Sequence, residues 1–162
     1  MNQQKTAIVC GSTQGIGKAI AYQLASEGVR VVLVGRNQER LQATHSDLEA
    51  AFGPQPQFIQ ADFSQPSDVK SAIEAWVAQG NVAHILINNS GGPKSGPIVD
   101  AAPEEFLSAF NQHLICNHIM TQAVIPGMKA AGFGRIINII STSVKQPLAN
   151  LGVSNTIRGA VA

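Results

Sequence analysis

A glycine-rich turn near the start of the chain, GSTQGIG, has the residue types that bind a phosphate group. It spans Gly11 to Gly17, between a short apolar run and a segment with helical periodicity. Gly11 permits a tight turn, Gly15 the close approach of a pyrophosphate, and Gly17 close packing of the helix on the strand. Backbone N–H groups and the positive end of the helix dipole attract the anion. The alternative is a glycine turn with a purely structural role.

The residue after the next apolar run distinguishes between two dinucleotides. That run, VRVVLVG, ends at Gly35 and is followed by Arg36. A site for NAD commonly has a carboxylate here, which binds the ribose 2′-hydroxyl. A guanidinium instead forms paired, charge-assisted hydrogen bonds with the 2′-phosphate of NADP. The sequence therefore favours NADP(H) as the cofactor, and a solvated surface charge is the alternative role for Arg36.

Apolar runs and amphipathic segments alternate along the chain and indicate how these residues are positioned. Five runs are apolar throughout and predict buried parallel strands: Thr6–Gly11, Val29–Gly35, Gln57–Asp62, His84–Gly91 and Gly134–Ser141. Predicted helices between them cover Gly15–Glu27, 37–51, Pro66–Gly80 and about 103–131. The alternation predicts an α/β fold, a Rossmann-type doubly wound parallel sheet.

The last residues interrupt this pattern. Residues Asn155–Ala162 resemble the opening of a further helix, and no strand follows them. We therefore expect a single domain over residues 1–162 that is truncated after the fifth strand. A sheet that ends there exposes an edge and apolar surface that another strand would otherwise cover.

Composition argues against several classes of function. The chain of 162 residues is 44% hydrophobic, has a formal net charge of +1 and contains no run of like charges. We therefore expect neither nucleic acid nor an anionic membrane as a partner, and no apolar run approaches the roughly 20 residues that cross a bilayer. Cys10 and Cys116 match no metal or redox motif. We expect reduced thiols, no metal site and a cytoplasmic protein.

Four segments, in this order, resemble the short-chain dehydrogenase/reductase family: GSTQGIG, ADFS (Ala61–Ser64), NNSG (Asn88–Gly91) and GRIINIIS. The likeness covers residues 5–162. It implies an NADP(H)-dependent oxidoreductase that acts on a small-molecule carbonyl or alcohol. It also implies a fold whose C-terminal elements are missing here. A homo-oligomer would form through the long helix and the helix near Ser154. By the resemblance, Asp62 and Phe63 would lie beside the adenine, Asn88 and Ser90 would line the adenosine ribose and the central sheet, and Ile139 would flank the nicotinamide side. Together with the glycine turn and Arg36, the expected cofactor contacts are Gly11, Ser12, Thr13, Gln14, Gly15, Ile16, Gly17, Arg36, Asp62, Phe63, Asn88, Ser90 and Ile139.

The resemblance also assigns the positions that carry the chemistry. In the family a Ser polarises the carbonyl, a Tyr thirteen residues later transfers the proton, and a Lys four residues further holds the ribose and lowers the tyrosine pKa. An Asn in the long helix completes a water relay. The matching residues here are Ser141, Ser154, Arg158 and His113. Only Ser141 keeps the residue type, and the single tyrosine, Tyr22, lies far upstream.

Three functions are open at this point. The first is an NADP(H)-dependent oxidoreductase in which Ser141 binds the oxygen and protons pass through water from His113, whose unperturbed pKa lies near neutrality. The second is a catalytically silent NADP(H)-binding protein, a sensor or a partner subunit. The third is an inactive truncated product. Ser143 is an alternative to Ser141, and Lys145 either is solvated or meets an anionic substrate.

Overall fold

The computed structural model describes residues 4–54 and 57–162, which form a five-stranded parallel sheet with helices on both faces. The strands are β1 (Thr6–Cys10), β2 (Arg30–Gly35), β3 (Gln57–Gln60), β4 (Ile85–Asn88) and β5 (Arg135–Asn138). Their order across the sheet is β3-β2-β1-β4-β5, and every pairing is parallel. The predicted doubly wound sheet is confirmed.

Helices connect the strands. They are α1 (Gly15–Ser26), α2 (Gln38–Phe52), α3 (Pro66–Ala78), α4 (Pro103–Phe110), α5 (Cys116–Ala130) and α6 (Gly152–Val161). A π-helical stretch, Asn111–Ile115, joins α4 to α5, and short 3₁₀ turns occupy Ile98–Asp100 and Thr142–Val144. As predicted, Pro66 opens α3 and Gly28 follows the end of α1 with a φ of +78°.

Successive residues of the central strand β1 face opposite sides of the sheet. Ile8 belongs to a buried cluster that includes Trp76 of α3 and Met120 of α5. Val9 belongs to the cluster on the other face, which includes Leu41 of α2. All five residues of β1 are buried. Burial on both faces explains why the strand is apolar throughout, since a sheet covered on both sides leaves no position for a solvated side chain.

The strand order reverses between β1 and β4, and the reversal creates a crevice at the carboxyl ends of these strands. From β1 the chain moves outward to β2 and β3, and β4 then pairs with the other side of β1. Ligands of open parallel sheets bind in such a crevice. The glycine turn after β1 and the polar residues after β4 are therefore placed where a ligand would bind.

Strand β5 forms one edge of the sheet and exposes apolar side chains. Ile136 and Ile137 keep 38% and 47% of their accessible surface. Among the described strands, only β4 pairs with β5. The prediction of an exposed apolar edge at the fifth strand is confirmed.

Some predicted boundaries differ from the structure, and the differences move candidate residues out of the strands. β3 ends two residues earlier than predicted, which leaves Asp62 in a loop. β5 ends at Asn138, where its ladder with β4 stops, so Ser141 also lies in a loop. The last helix starts at Gly152, before the predicted start. The long helix has its predicted extent but contains the π-helical stretch.

Cys10 and Cys116 are buried, unpaired thiols. Burial raises the pKa of Cys10 to about 12 and that of Cys116 to about 11, so neither is a reactive thiolate at neutral pH. Within residues 4–54 and 57–162, no three His, Cys, Asp or Glu side chains are grouped as metal ligands would be. The same residues include no helix with the length and apolar character needed to span a membrane.

Candidate functional site

The glycine turn brings the end of β1 and the start of α1 closer together than a side chain would allow. A Cβ on Gly17 would lie 2.2 Å from the carbonyl oxygen of Gly11, far inside contact distance. Gly11 and Gly15 have φ of +59° and +54°, in the left-handed region that favours glycine. No heavy atom outside the turn lies within 4 Å of a Cβ built on Gly15. The turn is therefore an open cradle in front of the first backbone N–H groups of α1.

Asn89 holds this turn from the loop after β4. Its Nδ2 group donates to the carbonyl oxygens of Cys10 and Gly11, at 3.2 and 3.4 Å. The same nitrogen would lie 2.8 Å from a Cβ on either Gly11 or Gly17. Asn88 was the predicted cofactor contact, and a role for Asn89 was not predicted. Two successive asparagines at a strand end were the available signal, but only the pairing of β1 with β4 shows which of them meets the turn.

Ser12 supports the turn from the inside. Its side chain is fully buried. Its N–H and its hydroxyl both donate to the carbonyl oxygen of Val34, at 3.3 and 3.4 Å, and its hydroxyl oxygen accepts from the Val34 N–H at 3.0 Å. Both polar groups are thus bonded to β2, so Ser12 positions the turn and presents neither donor to a ligand.

One outer residue of the turn, Gln14, is bonded to a guanidinium from α2. Ile16 keeps 61% of its surface exposed, and Thr13 is half-buried. The Oε1 atom of Gln14 accepts a hydrogen bond from Nη1 of Arg40 at 3.0 Å. The N-cap residue Asn37 accepts from the Arg40 N–H at 2.8 Å, which fixes the first turn of α2. Arg40, whose role was not predicted from the sequence, adds positive charge beside the turn.

A polar cavity of about 550 Å³ opens at the carboxyl end of β2. It is lined by Arg36, Asn37, Gln60, Asp62 and Asp68. Gln60 donates to the Arg36 carbonyl oxygen at 3.1 Å, and Asp68 accepts from the Asp62 N–H at 2.7 Å. Arg36 is exposed and forms no ion pair with any residue in the described ranges. Its guanidinium is therefore available to an anionic ligand.

Phe63 lies in the core and not in this cavity. Its side chain keeps 8% of its surface and belongs to the cluster under α3 and α5. Its carbonyl oxygen accepts a hydrogen bond from the Cys116 thiol at 3.3 Å. Burial of a phenyl ring is favourable because it removes a large apolar area from water. The Phe63 ring therefore lies in the core, and not beside an adenine as predicted.

Side-chain hydrogen bonds connect the end of β4 to β5 and to the π-helical stretch. Asn88 is buried, and its Nδ2 donates to Oδ1 of Asn138 at 2.9 Å. The Oδ1 atom of Asn88 is buried without a hydrogen-bond partner. Two residues later, Oγ of Ser90 lies 2.7 Å from Nδ1 of His113. Buried polar atoms are normally paired, so the unpartnered oxygen of Asn88 marks a position where a ligand could donate.

His113 is a neutral side chain at physiological pH. It is 1% exposed within the π-helical stretch, and its Nε2 atom is buried without a partner. Burial and, to a smaller extent, the positive charge of Arg158 lower the pKa of His113 from 6.5 to about 4. The imidazolium considered as a proton source in the sequence analysis is therefore not present at neutral pH.

Ser141 is the accessible serine of the loop after β5. It caps the 3₁₀ turn Thr142–Val144, and its Oγ accepts from the Ser143 N–H at 3.1 Å. Because this bond uses a lone pair, the hydroxyl proton remains available to an external acceptor. Ser143 is 3% exposed, and its hydroxyl is buried without a partner. The structure therefore favours Ser141 over the alternative.

Helix α6 packs against the end of β5 through Arg158. Nη1 of Arg158 donates to the carbonyl oxygen of Ile139 at 2.9 Å. Ser154 lies one turn earlier on the same face of α6. Ile139 packs against the cluster on the α1–α2 face. The end of β5, the π-helical stretch and α6 thus meet around Arg158, which acts electrostatically on His113.

Protonation of His113 makes the stability depend on pH. Its pKa is about 4 in the fold against an ordinary 6.5, so the unfolded chain binds the proton first as the pH falls. The stability that the neutral ring of His113 contributes is fully present above pH 6.5 and is lost as the pH falls towards 4.

Between pH 7 and 5 we expect the free energy of unfolding, measured in urea, to fall by about 2 kcal/mol more for the wild type than for His113→Asn. His118→Asn, an exposed substitution on α5, should keep the wild-type dependence. Identical pH dependence in the wild type and His113→Asn would contradict the assignment.

Comparison with known proteins extends the likeness over nearly the whole chain. A model of the short chain dehydrogenase family matches residues 5–161. The chain is 33% identical to hydroxysteroid dehydrogenase-like protein 1 of Gallus gallus over 143 residues, which cover 87% of this chain and 43% of that protein. It is 32% identical to inactive hydroxysteroid dehydrogenase-like protein 1 of Homo sapiens, over 90% of this chain and 44% of that one.

The architecture also matches solved structures. L-sorbose reductase from Gluconobacter frateurii, complexed with NADPH and L-sorbose, superposes with a TM-score of 0.91 at 32% identity. The match covers 98% of this chain and 60% of that chain. The chain thus spans less than half the length of the two curated relatives and three fifths of this structure. By the family match and by its sheet, the chain belongs to the short-chain dehydrogenase/reductase family.

Proposed function

We propose that residues 1–162 form the NADP(H)-binding domain of an oxidoreductase that interconverts a carbonyl and an alcohol. The observation that carries the proposal is the close approach of α1 to β1 at Gly17, next to a cavity that holds the unpaired guanidinium of Arg36. L-sorbose reductase, which shares this architecture, is described in complex with NADPH. Its cofactor supports NADP(H) for this chain.

The residues at the carboxyl end of the sheet fit a dinucleotide with an extra phosphate. The open cradle at Gly15 suits a pyrophosphate, because the backbone N–H groups at the start of α1 carry partial positive charge. The exposed Ile16 gives the cofactor an apolar surface at the turn. Arg36 would hold the 2′-phosphate by charge-assisted hydrogen bonds, with Arg40 as a second cation. Asp62 would accept from the adenine amino group.

The protein must hold the carbonyl oxygen and give it a proton, while the bound nicotinamide supplies the hydride. Ser141 suits the first task because the Ser143 N–H already occupies a lone pair, so the hydroxyl proton can point to the substrate. Such a donor stabilises the negative charge that develops on the oxygen in the transition state. We assign Asn88 and Ser90 to the adenosine ribose, and Ile139 to the nicotinamide side.

The phenol of Tyr22 is not placed to donate the proton. Tyr22 packs edge-on against Phe52, with ring centroids 6.1 Å apart, between α1 and α2. Ser154 is a much weaker acid than a phenol, so we assign it the task of holding a water molecule. The neutral ring of His113 can accept a proton at one nitrogen and release it at the other without storing charge. Water is then the source of the proton, and the roughly 10²–10⁴-fold benefit of a matched general acid is absent.

A second candidate function is NADP(H) binding without turnover, in a sensor or a partner subunit. It is favoured by the pKa of about 4 of His113, because the ring carries no proton to donate as an imidazolium at neutral pH. One relative is itself named an inactive hydroxysteroid dehydrogenase-like protein. In both functions we expect identical chains to associate through α4 and α5, because Leu107 and Phe110 of α4 are 66% and 37% exposed.

Replacement of Arg36 tests the cofactor. In Arg36→Gln we expect the Kd of NADPH, measured by fluorescence titration, to rise roughly 10- to 100-fold, because charge-assisted hydrogen bonds contribute about 1.5–3 kcal/mol. The Kd of NADH should change by less than about threefold, since NADH has no 2′-phosphate. Arg30→Gln removes the same charge at the opposite end of β2 and should behave like the wild type. Wild-type NADPH affinity in Arg36→Gln would refute the assignment.

Replacement of Ser141 separates the two candidate functions. If the chain turns over a carbonyl, Ser141→Ala should lower the kcat of NADPH oxidation roughly 10²–10³-fold, as expected for loss of an oxyanion donor. Thr142→Ala, an exposed neighbour, should keep the wild-type rate. NADPH binding by the wild type, with no oxidation above background by any of a panel of ketones and aldehydes, would instead favour the silent protein. Absence of NADPH binding would contradict both.

A further inference from the structure

Arg158 is a buried cation that has no counter-ion among residues 4–54 and 57–162. It keeps 8% of its surface on α6. Its guanidinium donates a hydrogen bond to a neutral acceptor, the Ile139 carbonyl oxygen, at 2.9 Å. The ion pairs in the described parts of the chain involve other residues, and none includes Arg158. A buried charge is unfavourable unless an opposite charge compensates it, and burial accordingly lowers the Arg158 pKa.

The groups around Arg158 do not supply the missing negative charge. His113, which feels the Arg158 charge, is neutral above a pKa of about 4. Ser154, one turn earlier on α6, carries an aliphatic hydroxyl, and Ser141 follows the strand end that Arg158 contacts. The hydroxyls of a nicotinamide ribose would also be neutral. A ligand with an anionic group would supply the compensating charge.

We propose that the substrate is an oxo acid and that Arg158 binds its carboxylate while Ser141 binds the ketone oxygen. This inference rests on the proposed function and specifies its substrate class. A guanidinium presents a planar fork of donors that matches the two oxygens of a carboxylate. The phosphates of the cofactor are assigned to the start of α1 and to Arg36, at the other half of the site. They do not compete for Arg158.

The loops at the mouth of the site carry further positive charge. The loops after β4 and β5 are tied together by a hydrogen bond from the Gly96 N–H to the Asn150 carbonyl oxygen, at 2.7 Å. Lys94 lies on the first loop and Lys145 at the end of the 3₁₀ turn on the second. Both are exposed and form no ion pair within residues 4–54 and 57–162. Asp100 lies further along the first loop. Two lysines at an entrance raise the local concentration of anions.

The reaction leaves the carboxylate unchanged. A bound reduced nicotinamide would supply a hydride to the ketone carbon. The ketone oxygen would take a proton from water through the Ser141 hydroxyl, and a proton from the solvent would neutralise the hydroxide that is left. The products are a hydroxy acid and the oxidised cofactor. The carboxylate acts only as an anchor, which turns the ketone towards Ser141.

Matched acid and ester substrates test the inference. We would measure NADPH oxidation with pyruvate and methyl pyruvate, and with acetoacetate and methyl acetoacetate, which place the carboxylate at two distances from the ketone. In at least one pair we expect kcat/KM for the acid to exceed that for the ester by at least about tenfold, because a charge-assisted bidentate pair forms only with the acid. Arg158→Gln should reduce this ratio to about threefold or less. Arg135→Gln removes the same charge at the amino end of β5 and should preserve the ratio.

If no ketone is reduced, a binding measurement tests whether Arg158 binds a carboxylate. Calorimetric titration of the NADP⁺-saturated chain with acetoacetate should show saturable binding that Arg158→Gln removes and Arg158→Lys weakens. Such binding without turnover supports the carboxylate site and rejects the oxidoreductase. Equal kcat/KM for acid and ester in both pairs, a preference that survives Arg158→Gln, or absence of both turnover and acetoacetate binding would overturn the inference. If Arg158→Gln loses its circular dichroism signal, the wild-type ratio and Arg158→Lys decide.

Discussion

Helix α1 starts so close to the end of β1 that position 17 has no room for a side chain. A Cβ there would lie 2.2 Å from the Gly11 carbonyl oxygen, so only glycine permits this packing. The contact aims the unpaired N–H groups of α1 at the crevice where the strand order reverses. Ser12 and Asn89 reinforce it from β2 and from the loop after β4. The rest of the site is arranged around this junction.

The two halves of the site differ in whether they contain the groups that their proposed tasks require. The half on β1 and β2 combines the cradle at Gly15 with a cavity that contains Arg36, which suits a phosphorylated dinucleotide. The half around β5 and α6 has a serine with an available proton, a neutral imidazole and a buried guanidinium that forms no ion pair in the described parts of the chain. Its polar groups can orient and anchor a substrate, but at neutral pH they include no strong proton donor. An anionic substrate would compensate Arg158 and complete this half.

Much of the fold follows from the sequence because burial on both faces leaves strands apolar throughout, as at Ile8 and Val9. Strand ends are less predictable, since β5 stops where the Asn88–Asn138 pair ends its ladder. Asn89 and Arg40 were missed for a related reason: each acts on the glycine turn from a different loop or helix. Phe63 was placed beside the cofactor by resemblance, but its ring packs in the core.

The charge state of His113, in the half around β5 and α6, was the least predictable feature. The low pKa of His113 depends on burial within the π-helical stretch and on the charge of Arg158, two segments that only the fold brings together. A crystal structure of the chain with bound NADPH tests the central claim most directly. We predict the pyrophosphate on the backbone N–H groups at the start of α1 and the 2′-phosphate on Arg36. An empty crevice at saturating NADPH, or a 2′-phosphate remote from Arg36, would contradict it.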